Sequence, residues 1–494
     1  MTKRNFLKTA GLGALATPAI LSSLAAAPAP ASIAGGLPSI GDWDVAVLGG
    51  GPAGICAAVA AARNGARTIL VEKANCAGGM ATSGLVGPFM TCYNKSGTEM
   101  IIRGLFGEIV DRLVKKDGAI HPSKVTAPSS HTSYITIGHS NCTPFDPEKL
   151  KIVADEILAE AGVTTLYHTS FVATVCDNAA AGAGKKINSV VLHSKSGPAT
   201  LRAKIFIDCT GDGDAAASAG AQFELGNTER NTAQPATMFF RIGNVDSDAL
   251  DADIAKNWHL FHRKNGINYR SFHWWVEKAR QAGDWSLQRV SIGLFEGNER
   301  GTWSVNTSRI MGIDGTSAES LTKGEIEGRR QAAEIFSFIK KYLPGCEKAI
   351  LLSTAAHLGI RETRHIRGDY VLQTEDLLTC KVPADSIVLA ANSVDVHGRY
   401  GPLSNQYVAI EGGEYYGVPW RCLLPVGFDN LLVAGRPISA GSEAAGAIRV
   451  MPPVMGFGQA AGTAAALAVR DAITPRQVPV PRLRQTLVSQ GVFL

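Results

Sequence analysis

The sequence predicts an α/β fold: a doubly wound parallel sheet assembled from separated stretches of chain, with an α+β domain interleaved. Three observations carry that expectation. Val45 to Leu48 is a short, wholly apolar run, as suits a parallel strand buried on both faces, and it leads through Gly49-Gly-Gly-Pro-Ala-Gly54 into an Ala-rich helical stretch, Ile55 to Asn64. The strand-to-glycine pattern recurs at Ala203 to Asp214 and at Asn430 to Gly435. Between these recurrences, residues 226–425 change character and hold every tryptophan except Trp43.

The chain has 494 residues, enough for two or three domains, and at 45% hydrophobic and 18% charged it can bury a large core. Lys3, Arg4 and Lys8 precede any acid. Without those three the formal charge falls from +5 to +2, which excludes the basic footprint of a nucleic-acid binder. The nine cysteines form no C-x-x-C pair, so neither a zinc site nor a redox dithiol is expected; Cys56 and Cys209 read as small core residues, and disulfides among the others stay open.

In chain order, residues 1–31 read as an address rather than part of the fold. Thr2-Lys-Arg-Asn-Phe-Leu-Lys8 resembles a twin-arginine export signal with Lys3 in place of the first arginine. A mildly apolar stretch broken by Pro18 follows, then small-residue cleavage options at Ala25 to Ala31. The stretch is too weak for a membrane span. Sec export is the alternative, and a plain disordered tail the bland reading. A buried dinucleotide is best inserted while the chain folds in the cytoplasm, which favours export of the folded protein. The only membrane contact expected is with the export machinery, and the destination is periplasmic or otherwise extracytoplasmic.

Gly49, Gly51 and Gly54 fit G-x-G-x-x-G: the first permits the turn, the second lets backbone approach a pyrophosphate, the third lets helix and strand pack closely. The second strand, Ile69 to Val71, ends at Glu72, where an acid meets a ribose hydroxyl. These features together predict dinucleotide binding. The Gly78–Ser83 loop offers backbone N–H groups and hydroxyls to the same ligand. Residues 103–117 read as an amphipathic helix and 121–145 as a surface excursion. Asp146 and Pro147 read as the N-cap and first residue of a helix through Ala161. Val163 to Val175 and Ile187 to Leu201 read as strands, followed by a short helix at Ala215. Farther on, Thr322-Lys-Gly-Glu325 resembles a capping box opening a helix that Pro344 stops, with Ile326, Ile335, Phe336, Ile339 and Leu343 at helical spacing. Ser439 to Arg449 reads as a polar loop, Val454 to Arg470 as a helix opened by two prolines, and 476–494 as a tail.

The stretches Asp44 to Lys73, Gly78-Gly-Met-Ala-Thr82, Ile207 to Asp214 and Leu432-Val-Ala-Gly-Arg436 resemble FAD-dependent oxidoreductases of the glutathione-reductase-like fold. Ile360-Arg-Glu-Thr-Arg364, Gly368-Asp-Tyr-Val371, Arg449-Val-Met-Pro452 and Gly458-Gln-Ala-Ala-Gly462 narrow this to one bacterial family known as FAD-dependent oxidoreductases. The chain is similar, more distantly, to fumarate reductase and succinate dehydrogenase flavoproteins. The resemblance implies a Rossmann-like FAD-binding domain from residues 43–100, 146–225 and 426–475, an insertion at 101–145 and a substrate domain at 226–425. It implies FAD contacts from Gly49, Gly51, Pro52, Ala53, Gly54, Glu72, Lys73, Gly79, Met80, Ala81, Thr82, Val172, Thr210, Gly211, Asp214, Gly435 and Arg436. The helix after Pro453 would aim at the flavin ring. No histidine stands near Met80, so a non-covalent flavin is expected.

Three residues are candidates for catalysis. By analogy with the distant relatives, Arg449 would bind a substrate carboxylate and His397 would assist; His397 is otherwise a loop histidine. Arg361, like Arg364, flanks Glu362 and would either bind substrate or hold a structural ion-pair network. The tryptophans either stack a ring-shaped substrate or pack the core. The expected activity is hydride transfer between a small organic substrate and FAD, with an unidentified second electron carrier. The alternatives are a redox-neutral flavin lyase or isomerase, and a flavin-carrying binding protein without turnover. No metal ligand set stands out.

Overall fold

The computed structural model of the protein describes residues 35–136, 138–177, 184–226, 234–264, 267–397 and 405–494. The export-like segment 1–31 lies outside the described residues. The chain opens with β1 (Ser39–Leu48), α1 (Pro52–Arg63) and β2 (Thr68–Val71), continues through α2 (Leu105–Lys115) and α3 (Pro147–Glu160), and then adds β3 (Thr164–Leu166), β4 (Thr169–Cys176), β5 (Ile187–Ser194), β6 (Gly197–Asp208) and α4 (Asp214–Ser218). The Val163 to Val175 strand of the sequence reading is two strands, broken at His168, whose φ of +53° turns the chain. Likewise Ile187 to Leu201 divides into β5 and β6 around Gly197 (φ +96°). Asp146 caps α3 as expected, its carboxylate accepting from Glu148 N and Lys149 N, with Pro147 in first position.

The middle of the chain forms β7 (Phe223–Leu225), β8 (Phe240–Gly243), α5 (Ser247–Asn257), β9 (His262–Lys264), β10 (Ile267–Tyr269), α6 (His273–Gln281), β11 (Leu294–Glu296), β12 (Trp303–Val305) and α7 (Ala318–Tyr342). After these come β13 (Ile350–Thr354), β14 (Arg364–Ile366), α8 (Thr374–Leu378), β15 (Ser386–Ala390), β16 (Val394–His397), β17 (Asn405–Val408) and β18 (Tyr416–Pro419). Helix α7 starts four residues before Thr322, because Ser317 rather than Thr322 caps it by accepting from Ser320 N. Its Ile335 and Ile339 are buried, whereas Ile326 faces solvent. The chain ends with β19 (Leu431–Val433), α9 (Ser442–Ile448), α10 (Met451–Asp471) and α11 (Val480–Ser489). Two sequence expectations change here: Ser439 to Arg449 contains a helix, and the 476–494 tail contains one that buries Leu483 and Leu487.

One seven-stranded sheet organises the first domain. Strands β3, β2, β1, β6 and β19 run parallel in that order, while β4 and β5 continue antiparallel from the first half of β6. The long β6 thus serves both the parallel sheet and a β-meander. Strand β1 lies between β2, its neighbour in sequence, and the distant β6, so the order reverses at its C-terminal end; open α/β sheets bind ligands at such points. Helix α10 packs backbone to backbone on α1. A Cβ on Gly458 would come within 2.0 Å of Ala53 O, and one on Gly462 within 2.0 Å of Ala57 O, so only glycine allows the approach.

A four-stranded antiparallel sheet, β11-β12-β8-β13, carries a second core with α7, including Trp285, Trp303 and Phe338. Residues 366–397 and 405–424, placed with the substrate domain by sequence, bury Ile387, Val388, Tyr416 and Trp420 in the first core. All nine cysteines are unbridged. No helix among the described residues is long and apolar enough to cross a membrane.

Candidate active site

A single cavity of about 1220 Å³ runs from the C-terminal end of β1 into the second domain. That is larger than the ~300–1,000 Å³ of a typical small-ligand pocket. At its first end lies the glycine turn, and the three motif glycines differ in what they serve. A Cβ on Gly49 (φ +101°) would stand 2.3 Å from Cys209 O, and one on Gly54 would stand 1.8 Å from Gly49 O, so the protein's own packing requires both. A Cβ on Gly51 would meet nothing within 4 Å. Gly51 faces the cavity at the start of α1, where no side chain caps the helix, so the first N–H groups and the positive dipole end are presented to a ligand. That cradle fits a pyrophosphate.

Other candidates gather around this turn. Gly49, Pro52, Ala53, Glu72, Lys73, Gly79, Met80, Thr210, Gly211, Gly435 and Arg436 all line the cavity. Glu72 is buried and ties the turn together: Oε2 accepts from Gly50 N (2.6 Å) and Oε1 from Ala74 N (2.7 Å). Asp208, which the sequence reading passed over, holds the 209–216 turn by accepting from Thr210 N (3.0 Å), Thr210 Oγ1 (2.7 Å) and Ala216 N (2.8 Å); burial pushes its carboxyl up to about 6. Arg436 donates from Nε to Gly211 O (2.9 Å) and pairs with Asp212, fixing the Thr210–Gly211 turn against the strand end.

Five candidates lie outside the cavity lining. Gly54 is inside the helix–strand contact, Ala81 is buried, and Thr82 donates to Ala77 O (2.9 Å), closing its own loop. Asp214 takes an ion pair from Arg364 at 2.8 Å, and Val172 is solvent-exposed on β4. Arg364 is therefore structural, whereas Arg361 faces the cavity.

Within the same cavity Arg361, Asp395, His397 and Arg449 come together. Strand β16 carries Asp395 and His397, and Arg449 ends α9, where its Nη2 donates to Asp395 O (3.1 Å) and Gln234 Oε1 (3.3 Å). Helix α9 can lie against β16 because Gly446 has no Cβ; one there would stand 2.9 Å from Asp395 O. Arg309 Nη2 lies 3.1 Å from His397 Nδ1. Arginine has no acceptor, so Nδ1 accepts and the neutral ring carries its hydrogen on Nε2, which is 3.2 Å from Asp395 Oδ2. Burial, with the charges of Arg361 and Arg449, pushes the imidazole down to about 4, against the pull of Asp395. The contact with His397, followed by the charges of Arg449 and Arg361, holds the Asp395 carboxyl well below its usual range, against the opposing effect of burial. Position 398, the last of the Val394–Gly398 motif, lies outside the described residues.

The sequence matches, over residues 44–487, the family described as FAD dependent oxidoreductase. The chain belongs to this family. A comparison with curated proteins found no match. Among solved structures the chain is similar to a geranylgeranyl bacteriochlorophyll reductase-like protein from Thermoplasma acidophilum, at 14% identity over 91% of this chain and 82% of the other, with a TM-score of 0.42. It is similar to the p-nitrophenol 4-monooxygenase PnpA from Pseudomonas putida, at 13% identity over 91% and 85% (TM-score 0.42). It is also similar to L-proline dehydrogenase from P. horikoshii, at 12% over 93% and 100% (TM-score 0.39). Likeness at this level carries no argument about the reaction.

In this FAD-dependent oxidoreductase, the tryptophans separate by role. Trp285, Trp303 and Trp420 are buried, while Trp274 and Trp275 donate to Asp253 Oδ2. Trp258 lines the cavity and stacks on Phe261 with centroids 4.5 Å apart. Sequence reasoning missed Arg289 and Arg309, which the fold brings near Arg361, and Arg270, which it brings near Arg289. No local pattern marks them, because they stand apart in the chain and share no spacing.

Proposed function

We propose that this FAD-dependent enzyme is exported, holds its flavin without a covalent link, and transfers a hydride between the flavin and a small organic substrate. The observation that carries the reading is the single cavity shared by the bare Gly51 turn and the Arg361–Asp395–His397–Arg449 group. Gly49, Gly51, Pro52 and Ala53 hold the pyrophosphate, Glu72 the ribose side, and Gly435 and Arg436 the ribityl side. Bound FAD supplies the hydride acceptor or donor. The chain's own groups orient the substrate and handle its proton. His397 is neutral at pH 7, as a base must be; its one lone pair is at Nδ1, where Arg309 donates, so that hydrogen bond opens before Nδ1 takes the substrate's proton. Arg449 and Arg361 orient the substrate from the cavity wall.

The test is anaerobic. Holoprotein is mixed with alcohols, amines, sugars and carboxylates, and the oxidised flavin absorbance is followed; the pre-reduced protein is tested likewise with acceptors. Bleaching by a donor class, or reoxidation by an acceptor class, is expected. Substrate turnover with no net electron transfer would instead establish the redox-neutral alternative, and no spectral response to any compound would sink the hydride reading.

Two further outcomes follow. Acid precipitation of the holoprotein should leave the yellow flavin in the supernatant; colour retained in the pellet would mean a covalent link. A precursor with Lys3 and Arg4 both changed to Gln should accumulate in the cytoplasm with FAD bound, read by fractionation and immunoblot. Undiminished export of that variant would rule out the twin-arginine route.

A further inference from the structure

Arg270 and Arg289 have no role in the reading above, and Arg361 has only that of orienting the substrate from the cavity wall. Arg270 directly follows β10, Arg289 lies between α6 and β11, and Arg361 follows the loop after β13. The fold fastens these separate segments. Ser291 Oγ donates to Asn268 O (3.0 Å) and Ile292 N to Ser271 O (3.1 Å), joining the stretches that bear Arg270 and Arg289. Trp285 Nε1 (2.9 Å) and Arg280 Nη2 (3.1 Å) both donate to Arg289 O. Arg361 Nη1 donates to Thr237 Oγ1 (2.8 Å) and Pro235 O. The backbone that bears Arg270 and Arg289 is thus fixed, and the Arg361 guanidinium is held by contacts that do not neutralise its charge.

Arg270 and Arg361 line the cavity. Arg270 Nη1, Arg289 Nε and Arg449 Nε are buried and meet no acceptor among the described residues. Burial pushes Arg289 down to about 10, and burial with the charge of Arg289 does the same to Arg270; burial with the charges of Arg449, Arg309 and Arg289 holds Arg361 well below its usual range, while Asp395 pulls the other way for Arg270 and Arg361. Gathering like charges away from water with unmet N–H groups costs stability. A planar oxyanion offsets that cost, because a guanidinium fork matches a carboxylate and charge-assisted hydrogen bonds are strong.

We propose that Arg270 and Arg361, backed by the buried charge of Arg289, form an anion subsite that takes the oxyanionic group of the substrate, so that the substrate is an organic acid. The inference rests on the oxidoreductase reading for its reaction, but its binding can be tested alone. The holoprotein is titrated by calorimetry at constant ionic strength with acetate, benzoate, succinate and inorganic phosphate, and with acetamide and benzamide as neutral counterparts. Visible spectra and thermal melts are recorded for each mixture.

At least one anion should bind saturably and raise the melting temperature, with its neutral counterpart at least tenfold weaker. Binding should weaken tenfold or more in Arg270→Gln and in Arg361→Gln, with Arg270→Lys intermediate. Removing one of several like charges relieves repulsion, so the Gln variants should fold and keep FAD, as their melts and spectra report. Tight binding of phosphate alone would overturn the carboxylate assignment. Binding by no anion, or equal binding by the Gln variants, would overturn the subsite. Anion binding with neither flavin bleaching by any donor nor reoxidation by any acceptor would leave the subsite standing and remove the hydride reading; bleaching by a neutral alcohol without any anion effect would do the reverse.

Discussion

Changing Gly51 to valine should strip the protein of FAD while leaving the apoprotein folded. Gly51 has φ −68° and ψ −174°, a backbone conformation open to any residue, and a Cβ there meets nothing within 4 Å. The fold therefore loses only a mediocre helix cap, a cost of about 1 kcal/mol. The ligand loses its close approach to the first N–H groups of α1. FAD affinity should fall by at least ~100-fold, or about 2.7 kcal/mol. The neighbouring Gly54→Val inverts the pattern. Its Cβ would stand 1.8 Å from Gly49 O, a backbone atom that cannot give way without moving β1 or α1. That variant should lose about 3 kcal/mol or more of stability before cofactor is considered. Thermal melts of the two apoproteins, with FAD occupancy from absorbance ratios, separate the cases. Gly51→Val purified with full FAD would show that the turn does not hold the pyrophosphate.

Acidification from pH 7 towards 4 should destabilise the protein through His397. An unfolded histidine titrates near ~6.5, whereas the folded imidazole is pushed down to about 4 by burial and by Arg361 and Arg449. A depressed folded value means that the unfolded chain binds the proton more readily. The contribution is therefore whole above the unfolded value and is lost as pH falls from about 6.5 to 4. The side chain is 15% exposed, so the effect is not screened away, and it amounts to a few kcal/mol in order of magnitude. His273, also lowered mainly by burial, acts in the same direction. Comparison with His397→Gln isolates the first: its melting temperature should depend less on pH over this window, and equal slopes would sink the assignment. For the same reason, if His397 is the base, the acid limb of kcat/KM should fall near pH 4 instead of ~6.5.

The site was legible in the sequence where its parts are neighbours in the chain. The glycine turn, the apolar strand before it and Glu72 after it lie within one β-α-β unit, and Asp146 with Pro147 announces α3 in the same local way. Misreadings arose where a local signal served a distant contact. Residues 439–449 read as a polar loop, yet they contain a helix whose Gly446 is demanded by the backbone of β16. Thr322 to Glu325 looked like a cap, but Ser317 had already started the helix. Thr82 and Asp214 have the right chemistry for a ligand, but Ala77 O and Arg364 engage them.

By itself, the sequence determined the nucleotide-binding half. A tight turn and a free helix start are made by adjacent residues, whose conformational limits act wherever the rest of the chain goes. Only the tertiary structure decided the other half. Arg270, Arg289, Arg309 and Arg361 come from four separate segments, and their character as a group comes from mutual charge and shared burial. Coulomb energy and desolvation depend on distance in space, which no spacing along the chain encodes before the domains have packed.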